Sequence, residues 1–489
     1  MNAPGVLGTV PAKLYINGAW SESSNGERHP VTNPADASTL GDVAWATTAD
    51  VDRAVAAARA AADDGRWSGL SGRERSRVLN RAAALLRERT EQFAQAESAD
   101  VGKPILFARI VDVPTAIEQL EYFAALAQTM DGAVRETPLP ALSYVRREPH
   151  GVVGLITPFN FPLILSVSKI APALAAGNTI VHKPAEDTPL TALLTAQLLE
   201  DAGVPAGVIN VVTGDGAALG NHLVAHPDVD AFAFTGSTAV GKRVAAIAGG
   251  NLKPIMTELG GNAANIVFAD ADLNVAVDAV INAFIFNTGQ FCMAGPRLLV
   301  ERPIHDALLG ILSNAVPNIP VGRPSDPGTV IGPLISARQR ERVEGFVNQA
   351  VADGGKIITG GSRLDLDGGY YFRPTIITGL GNDALTVREE VFGPVLTVQV
   401  FDTEEEAIQL ANSTRYGLAA GVQTGSIARA VRVTKRLKAG IQWVNGWAML
   451  DPSVPFGGYG DSGLGRESGP EALLNYTRTK SVTIAVPPA

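Results

Sequence analysis

The amino-acid sequence predicts an α/β protein with a doubly wound parallel sheet. Short apolar strands alternate with helices from residue 151 onward, and the helices are long enough for right-handed crossovers between parallel strands. The pattern begins again after about residue 258, which predicts a second α/β domain with its own sheet. A length of 489 residues is consistent with two to four structural units.

The region before the first sheet is predicted to be helical, because SGRERSRVLNRAAALLRERTEQFAQAES keeps apolar residues on one face and Arg and Glu on the other. Thr188 and Pro189 are expected to be the N-cap and first residue of a helix that runs through Asp201. The first sheet is predicted to contain strands at 151–157, 178–184, 208–214 and 229–237, with helices at 162–176, 189–201, 216–225 and 238–248.

The second domain is predicted to start with a strand at 262–270 and a helix at 274–287, and to continue to about residue 445. The tail segment KSVTIAVPP alternates like a strand but has no obvious partner in its own domain. Together with LSYVRREPHG (142–151), it is expected to add to a sheet edge, in this chain or in another subunit.

Composition and charge exclude several classes of protein. Hydrophobic residues make up 46% of the chain, which is ordinary for a folded protein and excludes an intrinsically disordered one. The net charge of −9 argues against phosphate-driven binding of nucleic acid. The one cysteine, Cys292, excludes an intrachain disulfide and a Cys-based zinc cluster, and six histidines without an HExxH pattern predict no metal site.

No membrane or export segment is predicted. The N-terminal MNAPGVLGTVPAKLYINGAW lacks the basic start and the unbroken apolar core of a signal peptide. The most apolar region, 151–181, is interrupted by prolines and by Lys169, so it is not expected to span a bilayer. We therefore expect a cytoplasmic protein.

Two glycine-containing turns lie between a strand and a helix. FTGSTAVGK places Gly236 and Ser237 there, and amides at a helix N-terminus with a nearby hydroxyl form an anion site. GDGAALG (214–220) contains Gly216 and Gly220 at a spacing similar to GxGxxG. Ser237 alone is also explained as a structural N-cap, but two such turns in one sheet favour a dinucleotide ligand.

The segment HKPAE places Lys183 and Glu186 at the end of the adjacent predicted strand. There both side chains would reach ribose hydroxyls, and the carboxylate would repel a 2′-phosphate, which favours NAD over NADP without excluding NADP. A surface ion pair is the alternative.

Three residues are candidates for catalysis. Cys292 lies in NTGQFCMAGPR between glycines, as expected for a nucleophile on a loop, although a lone cysteine is more often a small core residue. Glu258, before two glycines in TELGGN, would be a general base if its surroundings are apolar. Asn160 lies between two prolines in TPFNFP, so its amide would be aimed at an oxyanion, or it is simply a turn residue.

These motifs occur together and in one order: TPFNFP, HKPAE, FTGS, ELGG, GQFC, EEVFGP (389–394) and PFGGYGDSGLGRE (455–467). The ordered set resembles the NAD(P)-dependent aldehyde dehydrogenase superfamily from near Leu14 to near Val486. The resemblance implies that Cys292 is the nucleophile, that Asn160 and the Cys292 N–H form the oxyanion hole, and that Glu258 is the general base.

The resemblance also implies the other site residues and the domain plan. Glu390 would bind the nicotinamide ribose with Phe392 beside the ring, and Glu467 would belong to a proton relay. Implied cofactor contacts are Thr157, Phe159, Lys183, Glu186, Gly216, Gly220, Phe234, Gly236, Ser237, Val240, Leu259, Glu390 and Phe392. The implied domains are a dinucleotide-binding domain (1–127 and 148–257), a catalytic domain (258–470) and an oligomerisation element (128–147 and 471–489), with a homodimer or homotetramer as the assembly.

By the same resemblance, the reaction is oxidation of an aldehyde to a carboxylic acid through a thiohemiacetal and a thioester on Cys292. The residues expected to line the substrate tunnel are Phe161, Leu165, Ser168, Phe286, Phe291, Met293, Trp447, Leu450 and Phe456. Ser168 stands where small-aldehyde enzymes often carry a bulky aromatic, so a bulky apolar aldehyde, aromatic or terpenoid, is expected. The alternatives are a semialdehyde or straight-chain aldehyde, a cysteine hydrolase or acyltransferase, and a cofactor-binding protein without turnover.

Overall fold

A computed structural model of the chain describes residues 10–486. Residues 1–9 of the predicted first domain and residues 487–489 of the predicted oligomerisation element lie outside the described residues. The sheets and helices described below confirm the predicted α/β class.

The strands are β1 (Leu14–Ile16), β2 (Ala19–Ser21), β3 (Arg28–Thr32), β4 (Thr39–Ala44), β5 (Ala133–Arg135), β6 (Ala141–Pro149), β7 (Val152–Ile156), β8 (Thr179–Lys183), β9 (Ile209–Val211), β10 (Ala231–Thr235), β11 (Ile255–Glu258), β12 (Ala264–Val267), β13 (Arg297–Glu301), β14 (Lys356–Thr359), β15 (Thr375–Thr378), β16 (Val395–Phe401), β17 (Tyr416–Gly417), β18 (Ala419–Gln423), β19 (Ile441–Val444), β20 (Tyr459–Gly460), β21 (Gly463–Leu464) and β22 (Thr477–Ala485).

The α-helices are α1 (Thr48–Asp63), α2 (Gly72–Glu88), α3 (Thr90–Val101), α4 (Ile105–Phe107), α5 (Val113–Leu126), α6 (Pro162–Ala176), α7 (Leu190–Ala202), α8 (Gly216–Ala225), α9 (Thr238–Gly250), α10 (Leu273–Ile285), α11 (His305–Ala315), α12 (Ala337–Ala352), α13 (Leu385–Arg388), α14 (Glu404–Ala411), α15 (Ile427–Thr434) and α16 (Ala472–Asn475). A π-helical turn (Ala108–Asp112) joins α4 to α5, and 3₁₀ turns cover Phe286–Gly289, Arg302–Ile304 and Val316–Asn318.

The first sheet has the order β2-β1-β9-β8-β7-β10-β11-β21. Its five central strands, β9 to β11 in that order, run parallel as predicted. Its edges are antiparallel, because the short hairpin β1–β2 and the two-residue β21 join the sheet without helical crossovers. The winding direction reverses between β7 and β10, and ligands of such sheets bind beyond the carboxyl ends of the strands at this point.

Two further sheets complete the arrangement. The second has the order β14-β15-β16-β13-β12-β18-β19 and is parallel except for β14, in agreement with the predicted second α/β unit. The third is the antiparallel sheet β22-β6-β5, in which the tail strand pairs with β6 of the same chain, from Thr477 opposite Pro149 to Ala485 opposite Ala141. The tail strand therefore has its partner within its own chain.

The predicted start of α7 is wrong by one residue. The helix begins at Leu190, Pro189 occupies the N-cap without a side-chain bond, and the buried Thr188 hydroxyl has no hydrogen-bond partner. The Leu190 N–H donates instead to Asp100 Oδ2 at 2.9 Å. Because a buried carboxylate from α3 caps this helix, the local N-cap is not needed.

Within residues 10–486, every helix is too short or too polar to cross a bilayer.

Candidate active site

Cys292 lies on a tight loop that follows α10. Asn287, Thr288 and Gly289 all have positive φ values (49°, 58° and 71°), so the chain reverses sharply after the helix. A Cβ on Gly289 would lie 2.2 Å from the carbonyl oxygen of Gly393, and a Cβ on Gly261 would lie 2.2 Å from the carbonyl oxygen of Cys292. The ELGG and EEVFGP motifs therefore pack directly against the cysteine loop, and the glycines make this approach possible.

The Asn160 side chain is fixed beside the same loop. It is 3% exposed, and its Nδ2 donates to the carbonyl of Gln290 at 3.1 Å. Asn287 Nδ2 in turn donates to the carbonyl of Asn160 at 2.8 Å. An amide nitrogen carries two hydrogens, so Asn160 keeps a second N–H for a ligand near Cys292.

Glu258 ends β11 and is 2% exposed. Neither of its carboxyl oxygens has a hydrogen-bond partner. Burial raises its pKa well above the usual value, and the negative charge of Glu467 adds to this effect. The group is thus a buried, unpaired carboxyl of increased basicity.

Cys292 is surrounded by acidic groups. Burial raises the pKa of its thiol, and the carboxylates of Glu390, Glu258 and Glu467 raise it further. Because the thiolate is the nucleophile, a thiol with a raised pKa needs a base close by.

Glu467 forms a buried polar cluster behind the site. Lys169 Nζ donates to Glu467 Oε1, and Ser168 Oγ donates to Glu467 Oε2 at 3.0 Å. Lys169 is fully buried and Glu467 is 3% exposed. Ser168 thereby connects this cluster to the cavity described below.

At the first glycine turn, Glu186 accepts a hydrogen bond from the Gly216 N–H at 2.7 Å. A Cβ on Gly216 would lie only 2.8 Å from Glu186 Oε2, so a larger residue here would displace the Glu186 carboxyl. Lys183 is 2% exposed and its Nζ donates to the Pro184 carbonyl at 2.9 Å. One turn further along α8, a Cβ on Gly220 would lie 3.4 Å from the Ile156 side chain.

At the second turn, Gly236 and Ser237 open α9. Ser237 caps the helix through Val240 N at 3.4 Å and is exposed, while Gly236 N donates to the Glu258 carbonyl at 3.1 Å. The N-terminal amides of a 13-residue helix thus lie at the carboxyl end of β10. Leu259 lies against this helix where Gly241 leaves room for it.

The EEVFGP loop supplies the opposite wall. Glu390 Oε1 accepts the Gly261 N–H at 2.9 Å, and burial raises the pKa of Glu390 to about 7. Phe392, at a φ of 59°, meets Phe159 edge-to-face with ring centres 5.8 Å apart. This loop therefore contacts both Phe159, which follows β7, and Gly261, which follows β11.

Two predicted cofactor residues have side chains turned into the protein interior. Thr157 Oγ1 is hydrogen-bonded to His182 Nε2 at 2.9 Å, and burial lowers the pKa of His182 to about 3. Phe234 is 3% exposed within the core beneath α9. Among residues 10–486, no group of three or more His, Cys, Asp or Glu side chains is arranged to hold a metal ion.

Cys292 opens onto a cavity of about 720 Å³. All nine residues predicted to line the substrate tunnel lie on its wall: Phe161, Leu165, Ser168, Phe286, Phe291, Met293, Trp447, Leu450 and Phe456. The aromatic rings of Phe161, Phe286 and Phe291 pack against one another with centres 5.5–5.9 Å apart. Leu450 is 53% exposed and lies at the mouth.

One wall of the cavity was missed by the sequence analysis. It is the face of α4, the π-helical turn and α5 that carries Phe107, Ile110, Val111, Pro114, Thr115, Glu118 and Gln119. The i, i+3, i+4 spacing of these residues marks a helix face. This spacing is visible in the sequence and is the signal that identifies the missed wall.

The fold and site agree with comparisons to known proteins. A sequence model of the aldehyde dehydrogenase family matches residues 20–482. The chain belongs to the aldehyde dehydrogenase family. The resemblance inferred from the ordered motifs is therefore confirmed, and the protein is an aldehyde dehydrogenase.

Solved aldehyde dehydrogenases superpose over almost the entire chain. A putative aldehyde dehydrogenase from Burkholderia cenocepacia is 43% identical, with a TM-score of 0.96 over 98% of this chain and 99% of that one. A betaine aldehyde dehydrogenase from Staphylococcus aureus, solved with NAD⁺, is 39% identical, with a TM-score of 0.98 over 100% and 98%. An aldehyde dehydrogenase from Bacillus cereus, also an NAD⁺ complex, is 40% identical, with a TM-score of 0.95 over 96% of each chain.

Proposed function

We propose that this aldehyde dehydrogenase oxidises a bulky, apolar aldehyde to the carboxylic acid with NAD. The observation that carries the proposal is the cavity that leads to Cys292. Seven of its lining residues are aromatic, namely Phe107, Phe161, Phe286, Phe291, Trp443, Trp447 and Phe456, and none of its lining residues is Lys, Arg or His. A site without a basic group gives no counter-charge to a substrate carboxylate, which argues against a carboxylated semialdehyde.

NAD fits the residues at the two glycine turns. Glu186 would accept from the adenosine ribose, the α9 N-terminus at Ser237 would meet the pyrophosphate, and Glu390 would accept from the second ribose. The related Staphylococcus aureus and Bacillus cereus enzymes were solved with NAD⁺, which supports the same cofactor here. When bound, NAD accepts the hydride that leaves the substrate carbon.

In the first half of the reaction, Glu258 takes the proton of the Cys292 thiol, and the sulfur attacks the aldehyde carbonyl. Negative charge develops on the carbonyl oxygen, where the second Asn160 N–H and the Cys292 backbone N–H would donate to it. Such donors act strongly because they are aimed before the reaction begins, and loss of one typically costs about 10²–10³ in rate.

In the second half, a thioester on Cys292 is hydrolysed. Once the thiol proton has passed to the Lys169–Glu467 pair, Glu258 draws a proton from a water molecule. The water oxygen attacks the acyl carbon, and the Cys292 sulfur leaves as the carboxylic acid forms. A carboxyl with raised pKa is a stronger base than an ordinary glutamate, which suits this role. The Lys169–Glu467 pair behind it would receive the proton, as expected for a relay.

The nucleophile and the reaction class are tested with Cys292→Ala. We expect NADH formation from a hydrophobic aldehyde by the wild-type enzyme, complete loss of it in the variant, and retained NAD binding measured by calorimetry. A variant that still oxidised aldehydes at the original rate would refute the thioester route. Aldehyde-independent ester hydrolysis without any NADH formation in the wild type would favour a hydrolase.

A cationic aldehyde is a second candidate, and two observations favour it. Glu118 and Asp451 are exposed carboxylates on the cavity wall, and Trp443 packs against Trp447 with ring centres 5.1 Å apart. Aromatic faces near negative charge attract quaternary ammonium groups. The Staphylococcus aureus relative is a betaine aldehyde dehydrogenase.

An isosteric pair distinguishes the two candidates. Betaine aldehyde and 3,3-dimethylbutanal have the same shape and differ by one positive charge. If the substrate is apolar, kcat/KM is higher for the neutral member and changes little with salt. If it is cationic, the charged member is preferred, and Asp451→Asn together with Glu118→Gln reduces that preference.

We also propose that residues 128–147 and 471–489 mediate a homodimer or homotetramer. The sheet β22-β6-β5 has free edges at β22 and β5, and exposed apolar side chains at Val134, Leu142 and Ile484. Light scattering should give two or four times the mass of one chain. A monomeric wild-type enzyme at micromolar concentration would contradict this assembly.

A further inference from the structure

The Ser168 hydroxyl lies between two hydrogen-bond acceptors. Its Oγ is 3.0 Å from Glu467 Oε2 and 3.1 Å from the carbonyl oxygen of Leu165. A serine hydroxyl carries one hydrogen, so it donates to only one of these acceptors at a time. An ionised carboxylate is the stronger acceptor of the two, and the hydroxyl therefore donates to Glu467 whenever that carboxyl is ionised.

Glu467 is held in place for this contact. Its backbone N–H donates to the carbonyl of Phe456 at 2.7 Å, and its carbonyl accepts the Phe456 N–H at 2.6 Å. Lys169 Nζ donates to Glu467 Oε1, the carboxyl oxygen that Ser168 does not contact. Ser168 and Lys169 are adjacent on α6 and are 3% and 0% exposed. Each oxygen of the Glu467 carboxyl thus has a buried donor of its own.

Glu258 is a second buried carboxyl that interacts with Glu467, and it lacks such donors. Among residues 10–486, neither of its oxygens has a hydrogen-bond partner. Burial and the charge of Glu467 raise the pKa of Glu258, and the charges of Lys169 and Arg466 oppose this rise. Two interacting buried carboxyls and one buried ammonium are electrically balanced when the carboxyls share a single proton. The donors on Glu467 therefore affect how that proton is divided between the two carboxyls.

We propose that Ser168 is a positioning residue of the proton relay, because its hydroxyl keeps Glu467 ionised and able to take a proton from Glu258. The inference rests on the proposed function. In the transfer, the O–H bond of Glu258 breaks and a new O–H bond forms on Glu467 Oε2. The Ser168 hydroxyl then turns to the Leu165 carbonyl and accepts a hydrogen bond from the new O–H. Ser168 keeps its own hydrogen throughout.

The expected effect of removing the hydroxyl differs between the two halves of the reaction. Ser168→Ala takes more stabilisation from the Glu467 carboxylate than from its acid form, because hydrogen bonds to charged groups are stronger than neutral ones. Glu467 then holds a proton in a larger fraction of molecules and cannot take the one from Glu258. Hydrolysis of the thioester should slow about fivefold, which corresponds to about 1 kcal/mol. Hydride transfer should not slow, because a proton on Glu467 leaves Glu258 ionised for the thiol.

A single turnover with the enzyme in excess over benzaldehyde, at saturating NAD, separates the two halves. Stopped-flow follows the formation of NADH, which reports hydride transfer. Quenched flow follows the formation of benzoic acid, which reports hydrolysis of the thioester and does not depend on the release of NADH. For Ser168→Ala, we expect NADH at the wild-type rate and acid formation about fivefold slower.

Threonine and valine separate the hydroxyl from the size of the side chain, because the two have the same shape. Ser168→Thr keeps the donor and should form acid at nearly the wild-type rate, whereas Ser168→Val should resemble Ser168→Ala. The matched control is Ser166→Ala on the same helix, since Ser166 is fully buried and its hydroxyl has no partner within the described residues. This control should leave both rates unchanged. In a Glu467→Gln background, Ser168→Ala should cause no further slowing.

Equal rates of acid formation in wild type and Ser168→Ala would overturn the inference. Equal slowing in Ser168→Thr and Ser168→Val would also overturn it, because the effect would then come from the size of the side chain. Further slowing by Ser168→Ala in the Glu467→Gln background would show that Ser168 does not act through Glu467. If Ser168→Ala does not fold, the threonine and valine variants decide the question. No NADH from benzaldehyde or citronellal with the wild type would instead refute the proposed function.

Discussion

Replacement of Lys103 by methionine should destabilise the region that holds Asn160. Lys103 is 1% exposed, and its Nζ lies 3.0 Å from Glu97 Oε1, 2.5 Å from Asp112 Oδ1 and 4.1 Å from the centre of the Phe161 ring. The other oxygen of Glu97 accepts the N–H of Leu163 at 3.2 Å, in the first turn of α6. One ammonium group thus balances two buried carboxylates directly beneath the TPFNFP segment.

The expected magnitude follows from what the change leaves behind. Removing one partner of a buried ion pair typically costs about 3–5 kcal/mol, because a buried charge remains uncompensated. Burial already raises the pKa of Glu97 to about 7, and the Lys103 ammonium opposes that rise. A carboxyl whose pKa is raised by folding stabilises the folded state at low pH, and this contribution is lost as the pH rises through the raised pKa. The loss of stability caused by Lys103→Met should therefore be larger at pH 8 than at pH 6.

Hydrogen exchange followed by mass spectrometry is the suitable assay, because a large multidomain chain has no single free energy of unfolding. Because 1.4 kcal/mol corresponds to a factor of ten, a loss of about 3–5 kcal/mol should make the amides of α3 and of the start of α6 exchange at least about 100-fold faster than in the wild type. The matched control is Lys242→Met, which removes an exposed pair with Asp461 at 2.7 Å that is expected to contribute about 0–1 kcal/mol.

A triple variant with Glu97→Gln and Asp112→Asn removes all three charges and should recover much of the loss in Lys103→Met. If Lys103→Met exchanged no faster than Lys242→Met at pH 8, the balance of charges described above would be wrong.

Three further outcomes follow from the site. Glu258→Gln should slow both the NADH burst and the steady state by about 10²–10⁴, because Glu258 takes the proton of the Cys292 thiol before acylation and that of the water afterwards. A burst at the wild-type rate in stopped-flow would contradict its role in activating the thiol. Glu186→Ser should raise the ratio of kcat/KM with NADP to kcat/KM with NAD, because the carboxylate that repels the 2′-phosphate is gone. An unchanged ratio would show that Glu186 does not set the cofactor preference. The carboxylate form of Glu390 is the better acceptor for ribose hydroxyls, and this group ionises around pH 7. The Kd for NAD, measured by titration calorimetry, should therefore fall about tenfold between pH 6 and pH 8. The Kd of Glu390→Gln should show no such dependence on pH.

The sequence predicted those parts of the molecule that depend on local pattern. Strand ends followed by glycine located Glu258 and Gly236, and the paired glycines around Cys292 indicated a loop rather than a core position. The tunnel residues came from the resemblance, and all of them lie on one cavity. These roles in catalysis and binding stay predictions until the variants are measured.

The failures have a common physical cause, which is contact between distant segments. Thr188 looked like an N-cap, but Asp100 from another helix takes that place. Gln119 lies on a helix whose apolar stripe is visible in the sequence, yet nothing local says which face meets a cavity. The antiparallel partner of β11 is the two-residue β21, which is too short to produce a strand pattern.

The cavity wall has a consequence for engineering. Two of the segments that line it are the helical stretch around α5 and the loop between Trp447 and Phe456, and the reactive sulfur belongs to neither. If only one of these two stretches were replaced by that of a relative, the cavity would combine wall residues from two different enzymes. Chimaeras meant to inherit a relative's preference should therefore carry both stretches together, leaving the chemistry untouched.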